Sequence, residues 1–227
     1  MKTKHNSIMR VAIAGAGILA CSTASAVTLD FIGHVDNVSG ERAVEAAPTL
    51  NPFTSIYVPV ATTALGYIGT VADGIINDSA FAYFDRNQAG IGVCMVITAN
   101  LQCSPSSDDN LTAREILALS WADAWVLESL SFRGESHPND PSFDATDLFY
   151  YSTDGSTWFS KQLVNAKDGV VNFGLSLAAN QAIYLAFDNE QYYVSAAVLQ
   201  SPVPEPGTLA LLGLGFAGLA FGRRRNT

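Results

Sequence analysis

The 227-residue chain has only three histidines, three cysteines and twelve lysines and arginines, and each shortage closes off a class of function. His5 lies in an N-terminal leader, so a histidine-dependent triad or metal site has only His34 and His137 to draw on. His34 is expected at a strand end and His137 in a proline-rich loop, both as plain surface residues. No Gly-x-Ser-x-Gly elbow singles out a nucleophilic serine. Phosphate-binding glycine loops, metalloprotease helices and Cys-x-x-Cys pairs are missing as well. Between Val27 and Ser201 six basic side chains face twenty acidic ones, a net charge near −14. Such a surface repels nucleic acid and anionic lipid, so neither is expected as a partner of this region. That stretch also lacks internal repeats and any helix of useful length.

The two ends are different in kind. Lys2, Lys4 and Arg10 precede an apolar run from Val11 to Ala20, and small residues follow, ending in Ala24-Ser25-Ala26. Charge, apolar core and small residues in that order form a secretory signal peptide, with signal peptidase expected to cut after Ala26. The apolar run is too short to remain as a membrane span. At the other end stand Val203-Pro204-Glu205-Pro206, an apolar, glycine-rich stretch over Thr208–Gly222, and Arg223-Arg224-Arg225. As a helix that stretch is about 22 Å long at roughly 1.5 Å per residue, short of a bilayer core of roughly 30 Å. The prolines keep the motif extended beside the membrane, and the arginines hold the end on the cytoplasmic side. The chain therefore divides into residues 1–26 (signal), 27–200 (ectodomain) and 201–227 (motif 203–206, membrane helix 208–222, basic end 223–225).

With Cys21 removed, Cys94 and Cys103 remain, and export to an oxidising compartment makes a disulfide between them the expected state. Closing a loop of about ten residues contributes roughly 2.5–3 kcal/mol by loop entropy.

The ectodomain reads as short runs rich in Val, Ile, Tyr, Phe and Thr bounded by Gly, Asn, Asp and Pro. Strands are expected at Thr28–Val35, at Ser55–Pro59 paired with Ala64–Val71, and at Ser79–Phe84 and Gly90–Thr98. Gly66 and Gly69 suggest a bulge or a close backbone approach. The segment Cys103–Asn110 is polar and turn-rich, and is expected to stay out of the core. Thr112-Ala113-Arg114-Glu115 has capping-box spacing, but a strand over Glu115–Trp121 is preferred, since a second alternating run, Trp125–Arg133, follows at once. There Val126, Leu130 and Phe132 share a face with Glu128, which must therefore be paired or at a wet edge; Trp125, Leu127, Ser129 and Ser131 form the other face. Gly134–Asp144 is a loop. Asp154-Gly155, between Asp147–Thr153 and Ser156–Phe159, predicts a two-residue hairpin with Tyr151 opposite Trp158 and Thr153 opposite Ser156. Further strands are expected at Gln162–Val164, Gly169–Leu175, Gln181–Phe187 and Tyr192–Leu199. Ten to twelve strands of this kind make an all-β, antiparallel β-sandwich.

Carboxylates are the remaining chemical candidates. Asp108-Asp109-Asn110 and Asp140/Asp144/Asp147 are oxygen-rich loops of a kind that holds Ca²⁺, although such loops also form turns without metal. No cofactor is expected, with structural calcium as the one alternative. A glycosidase pair drawn from Glu115, Glu128 and Glu135 is the weakest option, since any acidic domain offers such pairs. Trp121, Trp125 and Trp158 read as strand residues packed in the core.

The tail, Val203-Pro204-Glu205-Pro206 followed by Thr208–Gly222 and Arg223–Arg225, resembles a PEP-CTERM sorting signal over about twenty-five residues. The resemblance implies recognition by an exosortase in the inner membrane of a Gram-negative bacterium. Cleavage at Pro-Glu-Pro would then release or transfer the ectodomain to the cell surface or matrix. Gly90–Cys94 with Cys103–Asn110 and Glu115–Leu117 more loosely resembles other proteins of this kind. The Tyr151–Trp158 hairpin is similar to one in discoidin-like jelly rolls, many of which bind carbohydrate, and so implies a jelly-roll-like sandwich. The expected function is thus non-enzymatic: an exported protein, first tethered in the inner membrane, with an implied setting in exopolysaccharide or biofilm. The alternatives are a carbohydrate-binding module with or without calcium, and a secreted hydrolase.

Overall fold

The computed structural model describes residues 25–44, 52–106, 109–135, 143–163, 169–202 and Gly215. Over these residues the chain forms two antiparallel sheets. One contains β1 (Ala26–Asp30), β2 (Arg42–Ala43), β5 (Phe81–Asp85), β6 (Gly90–Cys94), β8 (Trp125–Gly134), β11 (Val171–Leu177) and β13 (Tyr192–Gln200), in the order β11-β8-β13-β6-β5-β2. The other contains β3 (Thr62–Thr70), β4 (Gly74–Asn77), β7 (Glu115–Trp121), β9 (Leu148–Ser152), β10 (Phe159–Gln162) and β12 (Ala182–Phe187), in the order β10-β9-β12-β7-β3-β4. The all-β sandwich expected from the alternating runs is therefore present. Among the described residues no helix is long and apolar enough to cross a membrane. The expected span 208–222 lies outside them except for Gly215, as does the signal segment up to residue 24.

Between the sheets lies one apolar core in which aromatic rings meet tilted or edge to face. Phe132 lies 4.9 Å from Phe149 and 5.3 Å from Tyr192, and Tyr151 lies 5.2 Å from Phe173. Buried Tyr192 keeps its hydroxyl satisfied by donating to the Ala186 carbonyl at 3.1 Å, and Trp121 donates Nε1–H to Thr62 Oγ1 at 3.1 Å. β13 is central: β8 flanks one side, and β6 and β1 share the other. Its end, Gln200, pairs with Ala26 at the start of β1, and the Ser25 N–H donates to Ser201 Oγ at 3.3 Å. The first and last described strands thus close on each other.

Several expectations are corrected by side chains that capture backbone groups. The strand expected over Thr28–Val35 stops at Asp30, whose Oδ1 accepts the Gly33 N–H at 2.8 Å and starts a helical segment, α1 (Phe31–His34), that continues as a π-helical turn over Val35–Ser39. The segment expected as a strand at Ser55–Pro59 is a turn, because Ser55 Oγ accepts the N–H groups of Tyr57 and Val58 at 3.2 and 3.1 Å. β3 pairs instead with β4 and β7. The glycine readings hold: the register slips between Ile68 and Gly69, and a Cβ on Gly66 would fall 2.5 Å from the Phe81 carbonyl carbon.

The hairpin register is one residue away from the expected one, with Tyr151 opposite Phe159. Asp154 accepts the N–H groups of Thr157 at 2.7 Å and Ser156 at 2.8 Å. Those bonds, led by Thr157, hold its carboxyl well below the usual carboxylate range. They widen the two-residue turn into a loop, and of the pair only Gly155 takes a positive φ, +72°. On β8 the two expected faces are corrected by a bulge at Glu128: Val198 faces Ser129 and Leu199 faces Leu127. The extra residue switches the phase, so Leu127 joins Leu130 and Phe132 in the core while Glu128 stays half-exposed.

Candidate functional site

The outer face of the β10–β4 sheet carries a shallow groove because small side chains stand where large ones are neighbours. Outward-facing Ala186 on β12 sits between Tyr150 on β9 and Ile116 on β7. Next to it Gly69 must lack a side chain, since a Cβ there would fall 2.3 Å from the Gly74 carbonyl oxygen and 2.7 Å from Ile116 Cδ1. The resulting depression holds about 270 Å³ and is lined by Tyr150, Ala186, Asp188, Gly69, Thr70 and Arg114 among others. Arg114 is exposed and sits at φ +71° in the turn before β7. That turn keeps one of the two hydrogen bonds of a capping box, without a helix: Glu115 Oε2 accepts the Thr112 N–H at 2.7 Å, while the Thr112 hydroxyl donates to the same oxygen at 2.7 Å instead of accepting the Glu115 N–H. Glu115 is thereby buried and committed to the turn. Among the described residues, the Arg114 guanidinium and the Asp188 carboxylate make no ion pair or side-chain hydrogen bond that would occupy them.

A second polar cluster is buried beside the other sheet. Asp85, only 4 % exposed at the end of β5, meets the Tyr193 hydroxyl and the Arg86 N–H. Tyr193 also donates to Asp109 Oδ1 at 2.7 Å. One hydroxyl has one proton, so when Tyr193 gives it to Asp109, the contact with Asp85 is completed by a proton on the Asp85 carboxyl. Burial, then repulsion from Asp109, pushes Asp85 up to about 7. Burial likewise pushes Tyr193 well above the ordinary phenol range. Tyr83, bonded at 3.3 Å to Glu41 on the flank of the same cluster, is pushed up to about 12, first by burial. Asn110, expected in a loop outside the core, is 1 % exposed. It lies inside because its side-chain amide donates to Gln191 Oε1 at 2.8 Å and its backbone carbonyl accepts the Val93 N–H at 3.3 Å.

The other sequence-derived candidates fall as follows. Cys94 and Cys103 form the disulfide, with Cα atoms 5.8 Å apart. Asp108, Asp140 and His137 lie outside the described residues. Asp144 and Asp147 spend carboxylate oxygens on their own turn: Asp144 Oδ1 accepts the Thr146 N–H at 2.6 Å, and Asp147 Oδ2 accepts the Asp144 N–H. Among the described residues no three His, Cys, Asp or Glu side chains gather to hold a metal ion. Glu128 and Glu135 lie seven residues apart along one extended segment, about 20 Å, beyond the spacing at which two carboxyls flank one glycosidic bond. His34 is not a surface residue: it is 4 % exposed, with Nδ1 2.8 Å from Ser55 Oγ and its ring 5.1 Å from Phe53 and 5.2 Å from Phe84. Burial lowers its pKa. Trp121 is in the core as expected, whereas Trp125 is half-buried at the start of β8, and Trp158 lies in the loop before β10. Ala26 is already the first residue of β1, while Ala24 lies outside the described residues.

The central strand of the all-β sandwich ends at Gln200, directly before the tail in sequence. The tail itself identifies the system: residues 202–225 match the PEP-CTERM protein-sorting motif. The match spans Val203, Pro204, Glu205 and Pro206 as well as Arg223, Arg224 and Arg225, all outside the described residues. Such a motif implies an exported, membrane-anchored precursor in a Gram-negative bacterium, with an exosortase as its processing partner. No curated protein matches the chain.

Proposed function

We propose that the chain is a non-enzymatic protein of the cell surface or extracellular matrix, working in contact with exopolysaccharide in a biofilm and using no cofactor. Signal peptidase removes the leader, the C-terminal segment holds the precursor in the inner membrane, and exosortase cuts at Pro204-Glu205-Pro206. The observation that carries this reading is the sorting motif matched from residue 202, two residues beyond the end of β13. A cut at that motif falls beyond every described strand and leaves the sandwich complete up to Gln200. The test replaces Pro204-Glu205-Pro206 with alanines in the native host. The variant is expected to accumulate uncut in the inner membrane, and normal release would overturn the sorting role. The open, largely apolar groove favours carbohydrate binding as the mode of contact with the matrix over hydrolysis, since of its two carboxylates Glu115 is buried and bonded to Thr112, leaving Asp188 alone to face a ligand.

A further inference from the structure

We propose that the groove between Tyr150, Arg114 and Asp188 is a subsite for one neutral hexopyranose ring of the exopolysaccharide, an inference that rests on the matrix reading above. Size is the first constraint on the ligand. At about 270 Å³ the groove lies below the roughly 300–1,000 Å³ of drug-sized sites and suits one sugar ring with its chain continuing into solvent on both sides. Its chemistry has the two parts that a pyranose needs. Tyr150, half-exposed on β9 above the small Ala186, offers an aromatic face to the apolar C–H face of a sugar. Arg114 and Asp188 stand on the β7 and β12 sides of the same groove, one a charged donor and one a charged acceptor. A vicinal diol, which both donates and accepts, fits that pair, and charge-assisted bonds are the stronger kind.

Three further points narrow the ligand class. The lining sets one guanidinium, Arg114, against two carboxylates, Asp188 and the buried Glu115, within a strongly acidic domain, so uronic-acid and sulfated chains are repelled. Arg114 and Asp188 are both without a competing side-chain partner among the described residues, so neither has to break an ion pair to bind. The floor comes from β3, β7, β9 and β12, four adjacent strands of one sheet, and Arg114 and Asp188 rise from the turns at the ends of β7 and β12, so the shape of the depression is set before a ligand arrives.

The test uses the full-length chain in detergent micelles, with binding of neutral hexose oligosaccharides measured on a glycan array and then by calorimetry. Tyr150→Ala, Arg114→Asn and Asp188→Asn are each expected to weaken binding at least about tenfold, whereas Tyr150→Phe, which keeps the ring, stays within about threefold. Asn is chosen at 114 because it tolerates the left-handed backbone there. If Tyr150→Ala does not fold, the near-isosteric Asp188→Asn decides. Equal binding by all variants, binding of acidic glycans alone, or no glycan binding overturns the proposal. The parent reading fails separately, if the processed wild-type protein does not co-purify with matrix polysaccharide. A Tyr150→Ala protein retained in the matrix like wild type removes the groove while leaving that reading standing.

Discussion

Replacing Asp85 with Asn is expected to remove a pH-dependent loss of stability that the wild-type ectodomain carries. Asp85 is buried against Tyr193 and the Arg86 N–H, with Asp109 and Glu41 as acidic neighbours and Tyr83 alongside. Burial first, then Asp109, lifts its carboxyl from 3.8 to about 7. An acid raised on folding is held protonated by the native state. Its contribution is therefore complete below the unfolded value near pH 4 and is lost as pH rises towards 7. At about 1.4 kcal/mol per pH unit the loss is at most about 4 kcal/mol. Asp109 shares the repulsion, so about 2–4 kcal/mol is the expected span, large beside a domain stability of about 5–15 kcal/mol. Asn reproduces the protonated carboxyl, because its amide can donate to the Tyr193 oxygen while its carbonyl accepts the Arg86 N–H. The assay is urea denaturation of residues 25–202, followed by tryptophan fluorescence from pH 4 to pH 8. The variant should match wild type near pH 4 and exceed it by about 2–4 kcal/mol at pH 8. A difference that is the same at every pH would refute the proton-sharing argument.

Two further perturbations test the packing. Removing the Cys94–Cys103 disulfide by a double Ala substitution should cost about 2.5–3 kcal/mol, since the bond closes a loop with a sequence separation of nine; unfolding midpoints unchanged by reductant would contradict this. Thr62→Val leaves the buried Trp121 N–H without its acceptor and should cost about 1–3 kcal/mol. A loss below about 0.5 kcal/mol in the same denaturation assay would mean that the bond contributes little beyond side-chain packing.

Strand positions were largely legible because alternation and turn residues are local signals: β6, β7, β8, β12 and β13 all fall on expected runs. What escaped sequence reasoning came from single side chains acting on the backbone. Asp30 ends a strand early, Ser55 turns another segment into a loop, and Asp154 shifts a hairpin by one residue. The bulge at Glu128 reverses the inside and outside faces of β8 at its N-terminal end, and only the partner strand reveals it; the charged residue within an apolar alternation was the available clue. The candidate sites were harder still. The groove depends on Ala186 lying beside Tyr150 across strands, and the Asp85–Tyr193–Asp109 cluster joins residues from three distant segments. Neither spacing is visible along the chain. His34 looked like a surface residue because nothing local announces the Phe53 and Phe84 rings that enclose it. The tail is the opposite case: its three parts are contiguous, and the family match falls on the same residues.

The central claim is that an exosortase removes the C-terminal segment from a finished sandwich. It is tested most directly by intact mass spectrometry and C-terminal peptide mapping of the protein released from wild-type cells. The mature chain is expected to end, in its own sequence, within Val203–Pro206, directly beyond β13. Released protein that retains Arg223–Arg225 and ends at Thr227 would contradict it.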